Sequence, residues 1–188
     1  GGRGNFDHVA DNEGGSLLVE DCSLEGGYWG VLNSNGAVAV LLNNKVSGCC
    51  GYGVFTADRS LLWMEGNEVT GHQLSGINVQ GEGSRATLLD NTVGDCKANG
   101  FMACAQAQVF LEKNRICGNG DAGVSVCDAG TQAVVKSNAI SKNGLVGVYV
   151  FDGASALVED NDLRENAHLA LSVHKDCADS VVCNGNVT

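Results

Sequence analysis

Ala133-Val134-Val135-Lys136-Ser137-Asn138-Ala139-Ile140-Ser141-Lys142-Asn143-Gly144-Leu145-Val146-Gly147-Val148-Tyr149-Val150 holds the pattern that decides the fold. Three apolar pieces are separated first by an Asn and then by a polar turn ending in Gly, and the same grammar recurs along almost the whole chain. Aligned on the first Asn, the slot is filled by Cys22, Asn44, Asn67, Asn91, Asn114, Asn138, Asn161 and Gly185, at steps of 22 to 24 residues. Two positions later an aliphatic stands every time, from Leu24 and Val46 through Ile140 and Leu163 to Val187. Three positions before the slot come Val19, Leu41, Met64, Leu88, Leu111, Val135, Val158 and Val182. Three columns kept over eight units make this a repeat protein.

A repeat of this length cannot bury its apolar face alone, so units must stack. The apolar pieces are short, β-branched and alternating, which is strand and not helix. Three short strands per unit, with no room for a helix, describe one turn of a parallel β-helix. Coils stack at the strand spacing of about 4.8 Å, so seven make a rod on the order of 34 Å long. The Asn slot is expected to turn the chain through the left-handed region, which Asn and Gly tolerate best. Stacked amides at Asn44, Asn67, Asn91, Asn114, Asn138 and Asn161 can also hydrogen-bond from coil to coil. A second turn column holds Cys49, His72, Cys96, Asn119, Asn143 and Asn166, and a third opens the next strand with Gly30, Gly53, Gly76, Gly100, Gly123, Gly147 and Ala170.

The phrase Asn-x-Ile-x-x-Asn-x-x-x-Gly-Val-x-Val, read from Asn138, resembles the repeat of the pectin-lyase-like superfamily of parallel β-helices. The resemblance covers roughly residues 15–188. It implies an all-β, right-handed, single-stranded solenoid of seven to eight coils, the hand agreeing with the usual crossover preference. That grouping includes polysaccharide lyases and epimerases, copper-site maturation proteins and F-box proteins whose β-helix recruits substrates. Residues 1–14 do not keep the repeat and are expected to be a cap or a degenerate first coil, with the β-helix domain over 15–188. The chain opens on Gly1-Gly2 and ends mid-coil, and so reads as a piece of a longer protein.

Composition narrows the function classes. Twenty-seven Gly and no Pro suit a solenoid of tight turns, and 44% hydrophobic residues suffice for a continuous core. A net charge of −11 excludes nucleic acid and anionic membrane as natural partners, and weighs against an anionic polysaccharide unless a cation bridges the charges. No apolar stretch approaches the length of a membrane span. The nine Cys are odd in number and unpatterned, which favours reduced thiols in an intracellular setting. Cys104 and Cys127 nevertheless share a column in adjacent coils, within disulfide range.

Strand phase separates inside from outside. The offset four before the Asn slot faces outward yet reads Leu18, Val40, Trp63, Thr87, Phe110, Val134, Leu157 and Val181. A contiguous apolar stripe of this kind marks an interface, either with flanking domains or with a protein partner. The strand after the Gly column carries two outward rows, Phe55, Asn78, Met102, Ser125, Tyr149, Ser172 and Ala57, Gln80, Cys104, Cys127, Phe151, His174. Carbohydrate-active relatives work on that face, but the rows hold no Arg, no Lys and no carboxylate pair of the sort glycoside hydrolysis uses. Tyr149, Ser172 and His174 are the catalytic candidates there, a Tyr and a His one coil apart being able to act as acid and base. Asp58, Asp128 and Asp152 fit a repeated turn position that favours Asp. His72 between Cys49 and Cys96 is a weak metal candidate, since the two Cys lie two coils apart. No metal and no cofactor is expected. The leading reading is a non-catalytic binding or scaffold module using the stripe; the alternative is a carbohydrate-active enzyme or a polysaccharide-binding module.

Overall fold

The computed structural model describes residues 8–188, so half of the expected N-terminal cap, residues 1–7, lies outside the described residues. The first coil comprises β1 (Ala10–Glu13), β2 (Ser16–Glu20) and β3 (Ser23–Glu25). The second comprises β4 (Val31–Ser34), β5 (Val38–Leu42) and β6 (Lys45–Ser47), the third β7 (Val54–Thr56), β8 (Leu61–Glu65) and β9 (Glu68–Thr70). The fourth is β10 (Ile77–Gln80), β11 (Arg85–Leu89) and β12 (Thr92–Gly94), the fifth β13 (Phe101–Cys104), β14 (Gln108–Glu112) and β15 (Arg115–Cys117). β16 (Val124–Val126), β17 (Gln132–Lys136) and β18 (Ala139–Ser141) make the sixth, and β19 (Val146–Val150) with β20 (Ser155–Glu159) the seventh. β21 (Leu169–Val173), a single 3₁₀ turn at Lys175–Cys177 and β22 (Val181–Asn184) follow.

Strands three apart in order pair in parallel, with β19–β21 and β20–β22 closing the stack, which among the described residues builds two eight-stranded sheets and one six-stranded sheet around one interior. The first sheet runs from β1 to β21, the second from β2 to β22 and the third from β3 to β18. Inward columns fill the interior with fully buried aliphatics such as Leu41, Met64, Leu88 and Leu111 in the second sheet and Val46, Val69, Ile116 and Ile140 in the third. No helix among the described residues is long and apolar enough to cross a membrane.

The Asn column is a continuous ladder. Asn44 Nδ2 donates to Asn67 Oδ1 at 3.0 Å, and the same bond runs through Asn91, Asn114, Asn138 and Asn161. Each Oδ1 also accepts the backbone N–H of the preceding ladder residue at 2.9 Å. The second Nδ2 proton of each goes to a carbonyl of the coil before, Val19, Leu41, Met64, Leu88, Leu111 or Val135. A buried primary amide offers two donors and two acceptor lone pairs, and from Asn67 to Asn161 all of them are satisfied.

Two expectations about this column change. The ladder Asn does not itself enter the left-handed region; the residue before it does, at Asp21, Asn43, Gly66, Asp90, Lys113, Ser137, Asp160 and Gly185. The chain reverses at that preceding residue, which aims the next side chain inward as a ladder amide. Gly185 therefore belongs to the turn column, and the eighth slot is Asn186, which accepts from Asn161 Nδ2 at 2.9 Å across 25 residues. This last coil is one residue longer, so the register expected for its strand slips. Val181 pairs with Ala156 and packs against the core, while Val182 pairs with Leu157 and continues the outward stripe at 53% exposure. Val187 pairs with Asp162 and is exposed rather than inward.

The Gly column is set by space rather than by φ. A Cβ on Gly100 would lie 2.5 Å from Ile116 Cγ2, 2.7 Å from Asn119 Nδ2 and 2.8 Å from the Gly123 carbonyl oxygen. The strand opening the first sheet thus passes directly over the second ladder, where Asn119, Asn143 and Asn166 bond at 2.9 Å.

Candidate functional site

The first sheet presents its outward row in register from coil to coil: Leu32, Phe55, Asn78, Met102, Ser125, Tyr149 and Ser172. An outward row on an open sheet should be exposed, yet Asn78 and Ser125 are almost completely covered. The column just before the Gly column, Trp29, Tyr52, Ser75, Asn99 and Ala122, recurs beside this row from coil to coil, and Asn99 and Ala122 line one cavity with Ser125. Near the C-terminal end, face and edge together form a groove.

Toward the C-terminal end the groove opens into a cavity of about 340 Å³. Its floor is Met102, Ser125, Tyr149 and Ser172, and its edges include Phe151, Asn99, Asp121 and Leu145. Tyr149 and Phe151 point to the same side of β19 and its continuation, so their rings stack with centroids 4.4 Å apart and planes 20° from parallel. Asn99 is held in place by accepting the Ala122 N–H at 3.2 Å. The cavity therefore offers an aromatic wall, hydroxyls, an amide and one carboxylate.

At the other end the same face of the sheet carries aromatics. Trp29 stacks on Phe55 at 4.6 Å and on His8 at 4.7 Å, and Tyr52 stacks on Phe55 at 5.5 Å. Sequence reasoning passed over Trp29, Tyr52, Asn99 and Asp121. The signal that finds the first three is their shared place immediately before the Gly column.

Of the three candidate catalytic residues, the structure brings Tyr149 and Ser172 together as register partners lining one cavity. His174 lies outside that lining. It stands at the N-cap of the 3₁₀ turn, and its Nδ1 is 2.6 Å from the Asp176 carboxylate, which that contact holds below the usual carboxylate range. Asp58, Asp128 and Asp152 all take positive φ in the turn after the first sheet, and Asp128 accepts the Ala105 N–H at 3.0 Å. That is the work of turn residues. His72 is fully buried as a ladder member: Nδ1 accepts the Cys49 N–H at 3.2 Å and Nε2 faces the Val46 carbonyl at 3.2 Å. With both nitrogens engaged by backbone, it has no lone pair left for a metal. Burial lowers its pKa to about 4 and raises that of Cys49 to about 11.

The outward stripe lies on the second sheet, away from the groove. Leu18, Val40, Trp63, Phe110, Val134 and Leu157 are aligned by register, with Leu18 at 64% and Trp63 at 40% exposure.

Residues 29–187 match the family model described as "Right handed beta helix region", and the chain belongs to that family. The coil is right-handed. The A-module of the mannuronan C-5 epimerase AlgE4 from Azotobacter vinelandii is similar in structure, with a TM-score of 0.77 at 18% identity over 92% of this chain and 53% of that one. The periplasmic alginate epimerase AlgG matches with a TM-score of 0.71 at 19% identity over 92% of this chain and 50% of that one. The pectate lyase Pel9A matches with a TM-score of 0.55 at 13% identity over 84% and 56%. At these identities the likeness is one of fold. This chain spans about half the length of each of those structures. No curated protein sequence matches it.

Proposed function

We propose that this chain is the saccharide-binding portion of a carbohydrate-active β-helix protein, and that its ligand lies in the groove on the outer face of the first sheet. The observation that carries this reading is the stacked Tyr149–Phe151 wall over a polar floor of Ser125 and Ser172, with Asp121 at the edge. A pyranose has apolar C–H faces and a rim of hydroxyls, so it is bound by aromatic faces plus a few convergent polar groups. The similar folds of alginate epimerases and a pectate lyase support a saccharide as the ligand class. With a net charge of −11 and no Lys or Arg lining the cavity, neutral saccharides fit better than uronates. Tyr149 is the group best placed to move a proton, and Ser172 to orient a hydroxyl beside it.

A screen of neutral and uronic oligosaccharides against the purified chain tests this. Binding of at least one neutral class, lost on Tyr149→Ala, supports it; uniform absence of binding refutes it.

A second reading keeps the stripe as a protein-docking face, because Leu18, Trp63 and Val182 leave large apolar side chains open on one sheet. Its test is a single protein retained stoichiometrically by the wild-type chain from its native source and released by Trp63→Asp. Retention unaffected by that change would count against it.

A further inference from the structure

Cys104 closes β13 and Cys127 directly follows β16, and the last ladder pair of those strands is Ala103 with Val126. The two cysteines are therefore the next residues in register on adjacent coils. The Cys127 N–H donates to the Ala103 carbonyl at 3.0 Å, which keeps the strands in phase up to that point. Parallel neighbours stand about 4.8 Å apart, inside the Cα range of about 4.4–6.8 Å that a disulfide spans. Both side chains point to the outer side of the first sheet yet are nearly covered, at 8% and 5% exposure. Cys104 Sγ lies 4.0 Å from Gln80 Oε1, and Cys127 Sγ lies 3.8 Å from the Ala103 carbonyl oxygen.

We propose that Cys104 and Cys127 form a peroxide-oxidisable dithiol that closes to a disulfide between the fifth and sixth coils. One of the two sulfurs, as the thiolate, attacks one oxygen of hydrogen peroxide; the O–O bond breaks, and the departing hydroxide takes up the released proton to leave as water. The sulfenic acid so formed then meets the other cysteine, whose sulfur attacks the sulfenic sulfur. The S–O bond breaks and the second oxygen leaves with the second thiol's proton as water. Two thiols lose two electrons and two protons, and one peroxide becomes two waters. A small oxidant suits a pair this well covered. The inference does not depend on the saccharide reading.

The test is peptide mapping of the native chain after hydrogen peroxide. Trypsin cuts after Lys97, Lys113, Arg115 and Lys136, so Cys104 lies in peptide 98–113 and Cys127 in peptide 116–136 together with Cys117. The expected result is that a linked 98–113/116–136 species becomes the main form of Cys104 in wild type and in Cys117→Ser. It reverts with dithiothreitol and is missing in Cys127→Ser. The proposal is overturned if Cys104 stays reduced while the exposed Cys22, Cys50 and Cys183 oxidise, or if the link survives Cys127→Ser. Should the serine variants fold poorly, fragmentation of the wild-type linked species between Cys117 and Cys127 decides which of them holds Cys104.

Discussion

Asn91 Nδ2 donates to Asn114 Oδ1 at 3.0 Å, and the same oxygen accepts the Asn91 N–H at 2.9 Å. One amide thus ties two coils twice, and it reaches back with its own Nδ2 to the Leu88 carbonyl at 2.9 Å. Asn114→Ala would strand the Asn91 donors in a buried site and leave a carbonyl short of a partner. At about 1–3 kcal/mol per unsatisfied buried group, the expected loss is about 3 kcal/mol or more. Asn186→Ala, at the half-buried end of the ladder, should cost about 1 kcal/mol. Urea denaturation of the two variants compares them.

His72 should make stability depend on acid. Its folded pKa is about 4 because burial disfavours the charged ring, whereas an unfolded His titrates near 6.5. Between those values the unfolded chain binds the proton and the folded chain does not. Stability is therefore full above about pH 6.5 and falls as the pH drops toward 4, by roughly 2–3 kcal/mol. Protonation would also turn the Nδ1 acceptor of the Cys49 N–H into a donor. His72→Asn places a ladder amide there and should flatten that part of the pH profile, measured by denaturation at pH 4.5 and 7.

The glycines separate steric need from backbone need. Gly100→Ala sets a methyl against Ile116, Asn119 and the Gly123 carbonyl, and should cost about 2–3 kcal/mol. Gly26→Ala meets nothing within 4 Å and has only its φ of +75° to oppose it, so about 1 kcal/mol is expected. Thermal melts of both variants check the order.

The aromatics at the other end of the first sheet's outer face predict a dependence on ligand length. Trp29 and Tyr149 stand on the strands or turns of coils roughly 24 Å apart along the stack. Trp29→Ala should leave the affinity for short oligosaccharides unchanged and weaken that for long ones several-fold. Titrations with oligosaccharides of graded length would show the divergence.

Sequence made the coil legible because Asn44 to Asn161 recur at near-constant steps and every one is needed to satisfy the next. It failed at the last turn because a one-residue insertion leaves Gly185 at the expected step, and only the φ of +62° there reveals a turn residue. Register placed Tyr149 beside Ser172 correctly, since parallel pairing follows directly from the repeat. The partner of His174 was hidden because the chain leaves the repeat at the 3₁₀ turn, where Asp176 captures the ring. The column before the Gly column was hidden for a different reason: Trp29, Tyr52 and Asn99 share a place but not a residue type.

The most direct measurement is calorimetric titration of the wild-type chain and Tyr149→Ala/Phe151→Ala with a neutral oligosaccharide series. The account predicts saturable binding by wild type and at least a tenfold loss in the double variant, with melting temperature and β-sheet signal unchanged. Binding that is absent in wild type, or equal in both chains, would contradict it.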